Sequence, residues 1–161
     1  MAASWDIARL QTEICKGTAF AYLATVDLLK RHAPDALEEY NKIFMANKGY
    51  FLNLGITTPL ELATALAEIE ENMFGSKMSV AGDGSCASVT FEYVAEWAAV
   101  EAVGQLSDED RAIAARHFFL AMSELGRELG FATAVAFNGP VVTVSYSKDG
   151  PSPSAVSEQP A

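Results

Sequence analysis

Only two cysteines, Cys15 and Cys86, and two histidines, His32 and His117, occur among the 161 residues. They form no CxxC pair and no Cys/His spacing of a zinc site, so neither a disulfide framework nor a metal centre is expected. Unpaired thiols fit a reducing cytoplasm. Basic side chains are scarce as well, 11 against 21 acidic ones, for a formal charge of −10 at pH 7. A surface of that sign repels both a phosphate backbone and an anionic bilayer, which sets nucleic acid and membrane aside as partners. A long hydrophobic run is also missing. The longest uncharged stretch, Leu129 to Ser147, is cut by Asn138, Gly139 and Pro140 and reads as two halves of a hairpin. The opening MAASWDIARL lacks a basic segment followed by an apolar core and a small-residue cleavage site, so no secretion signal is expected. The Gly82-Asp83-Gly84-Ser85 turn joins two strands without a following helix and lysine, so it is no phosphate loop and no cofactor is expected.

What is present suits one α+β domain over residues 1–147, helical over 1–56 and helix–hairpin–helix–hairpin over 57–147. At this length folding buries roughly 70% of the surface exposed by the unfolded chain. Ser4 is the expected cap of a first helix running to about Arg31, apolar on nearly every side over 18–29, and therefore central to the core or part of a subunit interface. Pro34 opens a second helix, with Leu37, Tyr40, Phe44, Phe51 and Leu54 at helical spacing and Gly55 as its end. Thr58, Pro59 and Glu61 form a capping box for a third, whose stripe is Leu62, Leu66, Ile69 and Met73, with Glu68, Glu70 and Glu71 on its wet side and Gly75 as stop. Helical spacing spreads those glutamates around the axis, which argues against a metal site.

From Lys77 the period becomes two. MSVA, the GDGS turn and CASVTFEY form a hairpin. A short helix over 94–103 follows, then a longer one capped by Ser107, with Ala114, Phe118, Ala121, Leu125 and Leu129 inward and Gly126 marking a close approach. Asn138-Gly139 turns a second hairpin, and the Pro- and Ser-rich segment 148–161 is expected to be disordered. Two hairpins combine into one antiparallel sheet backed by helices.

The strand at Cys86 carries the densest set of reactive side chains. Ala87, Val89, Phe91 and Tyr93 alternate with Cys86, Ser88, Thr90 and Glu92, and Glu96 and Trp97 follow. Cys86 is a candidate nucleophile, with His117 in range of the sheet; the alternative is an inert thiol. Glu92 and Glu96, beside Tyr93 and Trp97, are candidate acid and base; the alternative is a polar face that meets water. Trp97, Tyr93, Thr90, His117 and Phe118 are the candidate ligand-binding residues.

PLELATALAEIEENMFG, a hairpin, TFEYVAEW, a helix and a last hairpin together resemble, over about residues 58–147, the L-2-amino-thiazoline-4-carboxylic acid hydrolase-like family. The resemblance implies a ligand-sized cavity between sheet and helices, with Trp97 at the family's tryptophan. It also implies cysteines that this chain replaces with Val94-Ala95-Glu96, a cysteine-free helix over 107–129, and the strand from Val141 to Tyr146. The sequence thus leads to a small-molecule-binding α+β protein, a hydrolase or isomerase using Glu92, Glu96 or Cys86, and assembled as a homo-oligomer. The competing reading is a non-catalytic sensor, accessory subunit or oligomerisation module.

Overall fold

A computed structural model describes residues 6–40, 51, 53–104 and 107–149. The first helix, α1, runs Ile7–His32 and is capped by Asp6, whose side chain accepts from the Arg9 amide at 2.8 Å. Ser4, the expected cap, lies outside the described residues. Four buried residues, Cys15, Ala19, Tyr22 and Val26, recur at helical spacing and set its inner face. The chain then makes a 3-10 turn, Pro34–Ala36, and is helical again from Leu37 to Tyr40, where the Tyr40 ring stacks on Tyr22 at 6.1 Å. Phe44 of the expected second stripe falls outside the described residues. Phe51 is buried, whereas Leu54 is exposed.

α2 is Pro59–Ile69, and its capping box is complete: Thr58 Oγ1 accepts from the Glu61 amide at 3.2 Å and Glu61 Oε2 accepts from the Thr58 amide at 2.9 Å. The helix then widens into a π-turn, Glu70–Phe74, closed by Gly75 at φ 78°. That widening corrects the stripe expected from spacing. Met73 is half exposed, and Glu70, expected on the wet side, is buried.

The four strands are β1 Lys77–Gly82, β2 Cys86–Tyr93, β3 Ala132–Asn138 and β4 Val141–Ser147, in the order β1-β2-β4-β3 and antiparallel throughout. Each hairpin follows a helix, so the second strands of both meet at the centre, Thr90 opposite Thr143. Between the strands lie α3, Ala95–Val103, and α4, Asp108–Glu128. The close approach expected at Gly126 is real, since a Cβ there would lie 2.6 Å from Thr133 and from the Tyr146 ring.

Ala87, Val89 and Phe91 of β2 and Val142, Val144 and Tyr146 of β4 pack with Leu62, Leu66, Phe118 and Leu125 into the main core. The apolar face of the sheet therefore meets α2 and α4. A second, smaller cluster, Ala19, Tyr22, Val26 and Val100, joins α1 to α3 behind them. Trp97 packs against both clusters. The α+β architecture is thus layered as sheet, α2 with α4, and α1 with α3.

Candidate functional site: a carboxyl pair on an apolar cavity

The π-turn at the end of α2 and the first turn of α3 bring two glutamates together. In α2, Ala63, Leu66 and Ala67 are buried, and Glu70 continues their face one turn further on. Gly75 in the left-handed conformation then reverses the chain so that Ser76 is buried beside it, its amide donating to the Glu70 carbonyl at 3.1 Å. The Ser76 hydroxyl accepts from the Ala95 amide at 3.0 Å and lies 3.2 Å from Glu70 Oε2 and 3.5 Å from Glu96 Oε2. Helix α3 has no side-chain cap of its own at Val94, so Ser76 supplies one from across the chain. The same hydroxyl therefore bridges both carboxyls and holds Glu70 and Glu96 side by side. π-turns of this kind recur where a helix must present a functional side chain.

Two carboxyls in contact and out of water cannot both ionise readily. Burial pushes the Glu70 carboxyl far above the ordinary carboxylate range, and the charge of Glu96 and the hydrogen bond between the two push it further. Burial also raises Glu96, but its own backbone amide, Glu70 and Ser76 donate to it and favour its charged form. The pair therefore retains a proton above the ordinary carboxylate range, with Glu70 the more strongly raised by the charge of its neighbour. Cys15 of α1 stands close by. Burial, then the charges of Glu96 and Glu70, raise its thiol to about 11, and it donates to the Phe74 carbonyl at 3.4 Å. The thiol is held neutral.

Both glutamates face a partly open cavity of about 300 Å³ lined by residues of α1, α2 and its π-turn, α3 and α4. Its walls are mostly apolar and include Tyr22, Phe74, Trp97 and Phe118. No Lys, Arg or His lines it, and no ion pair to Glu70 or Glu96 is formed among the described residues. No group of three metal-ligating side chains lies together among those residues either.

Of the residues singled out in the sequence, Glu96, Trp97 and Phe118 line this cavity. Cys86, Thr90, Glu92 and Tyr93 do not. The cavity lies between helices, not between the sheet and the helices, because the face that β2 turns to the helices is its apolar one. Thr90 is on the opposite face, bonded to Thr143 at 3.0 Å. Cys86 is exposed beside the Asp83 turn. Glu92 is exposed at a bulge, where Lys77 pairs with Tyr93 and Met78 with Phe91, and Tyr93 is exposed next to it. His117 lines a separate cleft with Arg116 and Glu124. Sequence reasoning missed Glu70, Ser76, Cys15 and Tyr22. The signal for Glu70 was present, since it stands four residues from Leu66 and three from Ala67. No protein-family model matches the chain, and no curated protein gives a significant match to it.

Proposed function

We propose that this protein binds a small, largely apolar amine in the helical cavity and exchanges a proton with it through Glu70 and Glu96. The observation that carries the reading is a carboxyl pair, Glu70 and Glu96, on a mostly apolar cavity with no cationic side chain in its lining. A lone buried carboxylate is unfavourable by several kcal/mol unless something compensates it. An ammonium group supplies one positive charge to one negative charge, and the rings of Trp97 and Tyr22 favour a cation further. A volume of about 300 Å³ accommodates roughly a dozen non-hydrogen atoms at protein packing densities. The negative net charge of the chain attracts the same class of ligand.

In this reading Glu70 is the acid and Glu96 the base, and proton transfer, as in an isomerisation, suits the site better than nucleophilic hydrolysis. A neutral Cys15 bonded to a backbone carbonyl is a poor nucleophile. A ligand cavity is also what the resemblance of residues 58–147 implies. The two free cysteines fit a cytoplasmic protein. A second reading, a non-catalytic module that assembles with copies of itself, is supported by the exposed apolar side chains of α1.

Calorimetric titration at pH 7 with 2-phenylethylamine and with 2-phenylethanol tests the ligand class. The amine is expected to bind wild-type protein at least tenfold more tightly, about 1.4 kcal/mol, and Glu96→Gln is expected to abolish that preference. Equal binding of both probes would overturn the amine class and leave the cavity reading standing. Binding of neither at millimolar concentration would overturn the cavity reading itself.

A further inference from the structure

Helix α1 carries a second apolar stripe that no described residue of its own chain covers. Its buried face is set by Cys15, Ala19, Tyr22 and Val26. On the far side, Ile7, Leu10, Ile14, Gly17, Ala21, Ala24 and Leu28 follow one another at alternating spacings of three and four, and all seven are exposed. Ile7 is 73% exposed, Leu10 48%, Ile14 37% and Leu28 54%, and nothing lies within 4 Å of a Cβ built on Gly17. Three and four alternating is the heptad a/d pattern by which helices pair. None of the seven positions is charged.

We propose that this stripe pairs with the α1 of a second copy, antiparallel, about a two-fold axis between residues 15 and 16. In an antiparallel pair each a position faces a d position of the partner. That register sets Ile7 against Ala24, Leu10 against Ala21 and Ile14 against Gly17, so every large side chain of the N-terminal half meets a small one of the C-terminal half. A parallel pair would instead oppose Gly17 to Gly17 and Ala24 to Ala24 and leave gaps. The antiparallel arrangement is self-complementary, as a two-fold interface requires.

Charge selects the same surface. The chain carries −10, so two copies repel over most approaches. From Asp6 to Arg31, however, Arg9, Lys16, Lys30 and Arg31 balance Asp6, Glu13, Asp27 and the Asp110 that pairs with Lys30, so α1 lacks the acidic excess of the rest of the chain. A single helix face is narrower than the surface each partner of a standard complex buries, about 800 Å², so the dimer is a weak one.

Sedimentation velocity of the full chain from about 1 to 500 μM is expected to show a monomer–dimer equilibrium, with Leu10→Lys monomeric at all concentrations. Register is tested in a Cys86→Ser background, in which Cys15 is buried. Oxidation of mixed Leu10→Cys and Ala21→Cys proteins is expected to give the mixed disulfide dimer at least tenfold in excess over either homodimer. Predominant Leu10→Cys homodimer would overturn the antiparallel register. A wild-type monomer at 500 μM, or a dimer unaffected by Leu10→Lys, would overturn the interface, whatever the cavity binds.

Discussion

Glu70 is the residue on which the site depends, and its protonation has a consequence for stability. An unfolded glutamate gives up its proton near pH 4.3, whereas Glu70 keeps its proton in the folded chain well above that, because of burial first and Glu96 second. Glu96, Ser76 and Cys15 are the polar groups that face it. Above the unfolded value the folded state therefore binds one proton more. The stabilisation is complete in acid and is lost as pH rises toward the raised folded value, by at most about 1.4 kcal/mol per pH unit. Urea denaturation between pH 5 and 8 is expected to show this slope in wild type and a flatter one in Glu70→Gln; parallel profiles would contradict a protonated Glu70. The two cysteines give a second prediction at this scale. Cys15 is buried with a raised thiol and Cys86 is exposed, so a thiol reagent at neutral pH should label one cysteine in the native protein and two in urea. Mass spectrometry placing the native label on Cys15 would contradict the packing of α1.

Among the elements, the starts of α2 and α4 and the turn of the second hairpin were legible, because Thr58 with Glu61, Ser107 and Asn138-Gly139 signal through local hydrogen bonds and backbone preference, whereas α1 takes Asp6 as its cap and not Ser4. What lay beyond local signals was the direction in which faces point. The strand Cys86–Tyr93 showed its two faces plainly, and Cys86, Thr90 and Glu92 drew interest as reactive, yet which face meets the helices is decided by core volume, and Val89 and Phe91 win that contest. The π-turn was invisible as well. One extra residue in the last turn of α2 carries Met73 outward, an effect that a period of 3.6 does not contain, whereas Glu70 follows the spacing of Leu66 and Ala67 and was set on the wet side because of its charge. Glu96 and Trp97 drew interest because they follow the strand Cys86–Tyr93 in the sequence, and they line the cavity because α3 carries them across the helices. Gly126 tests the packing of α4 on the sheet. Gly126→Ala gains helix propensity of about 1 kcal/mol, but its methyl would meet Thr133 and Tyr146 at 2.6 Å, so a net loss of about 1–3 kcal/mol is expected in chemical denaturation. Thr58→Ala, which removes one half of the capping box, is expected to lose about 1 kcal/mol by the same measurement.

At the scale of the molecule, the two helix–hairpin units, 58–93 and 107–146, join through β2 and β4 and leave their helices on one side of the sheet. The other sheet face carries Ser79, Ser88, Thr90, Thr143 and Ser145 and meets no helix among the strong packing contacts. The cavity that holds the carboxyl pair opens where α1 and α3 lie across α2 and α4. No described helix is long and apolar enough to cross a membrane. The fold places a carboxyl pair at the junction of its two hydrophobic clusters, with the sheet as a rigid backing and Trp97 spanning both.

That junction is tested most directly by carbon-13 NMR of the glutamate carboxyls across pH 4 to 10. One carboxyl is expected to stay protonated above pH 7, to disappear from the spectrum in Glu70→Gln, and to shift when 2-phenylethylamine is added. Titration of every glutamate below about pH 5.5, inside the ordinary carboxylate range, would contradict the shared proton and the site built on it.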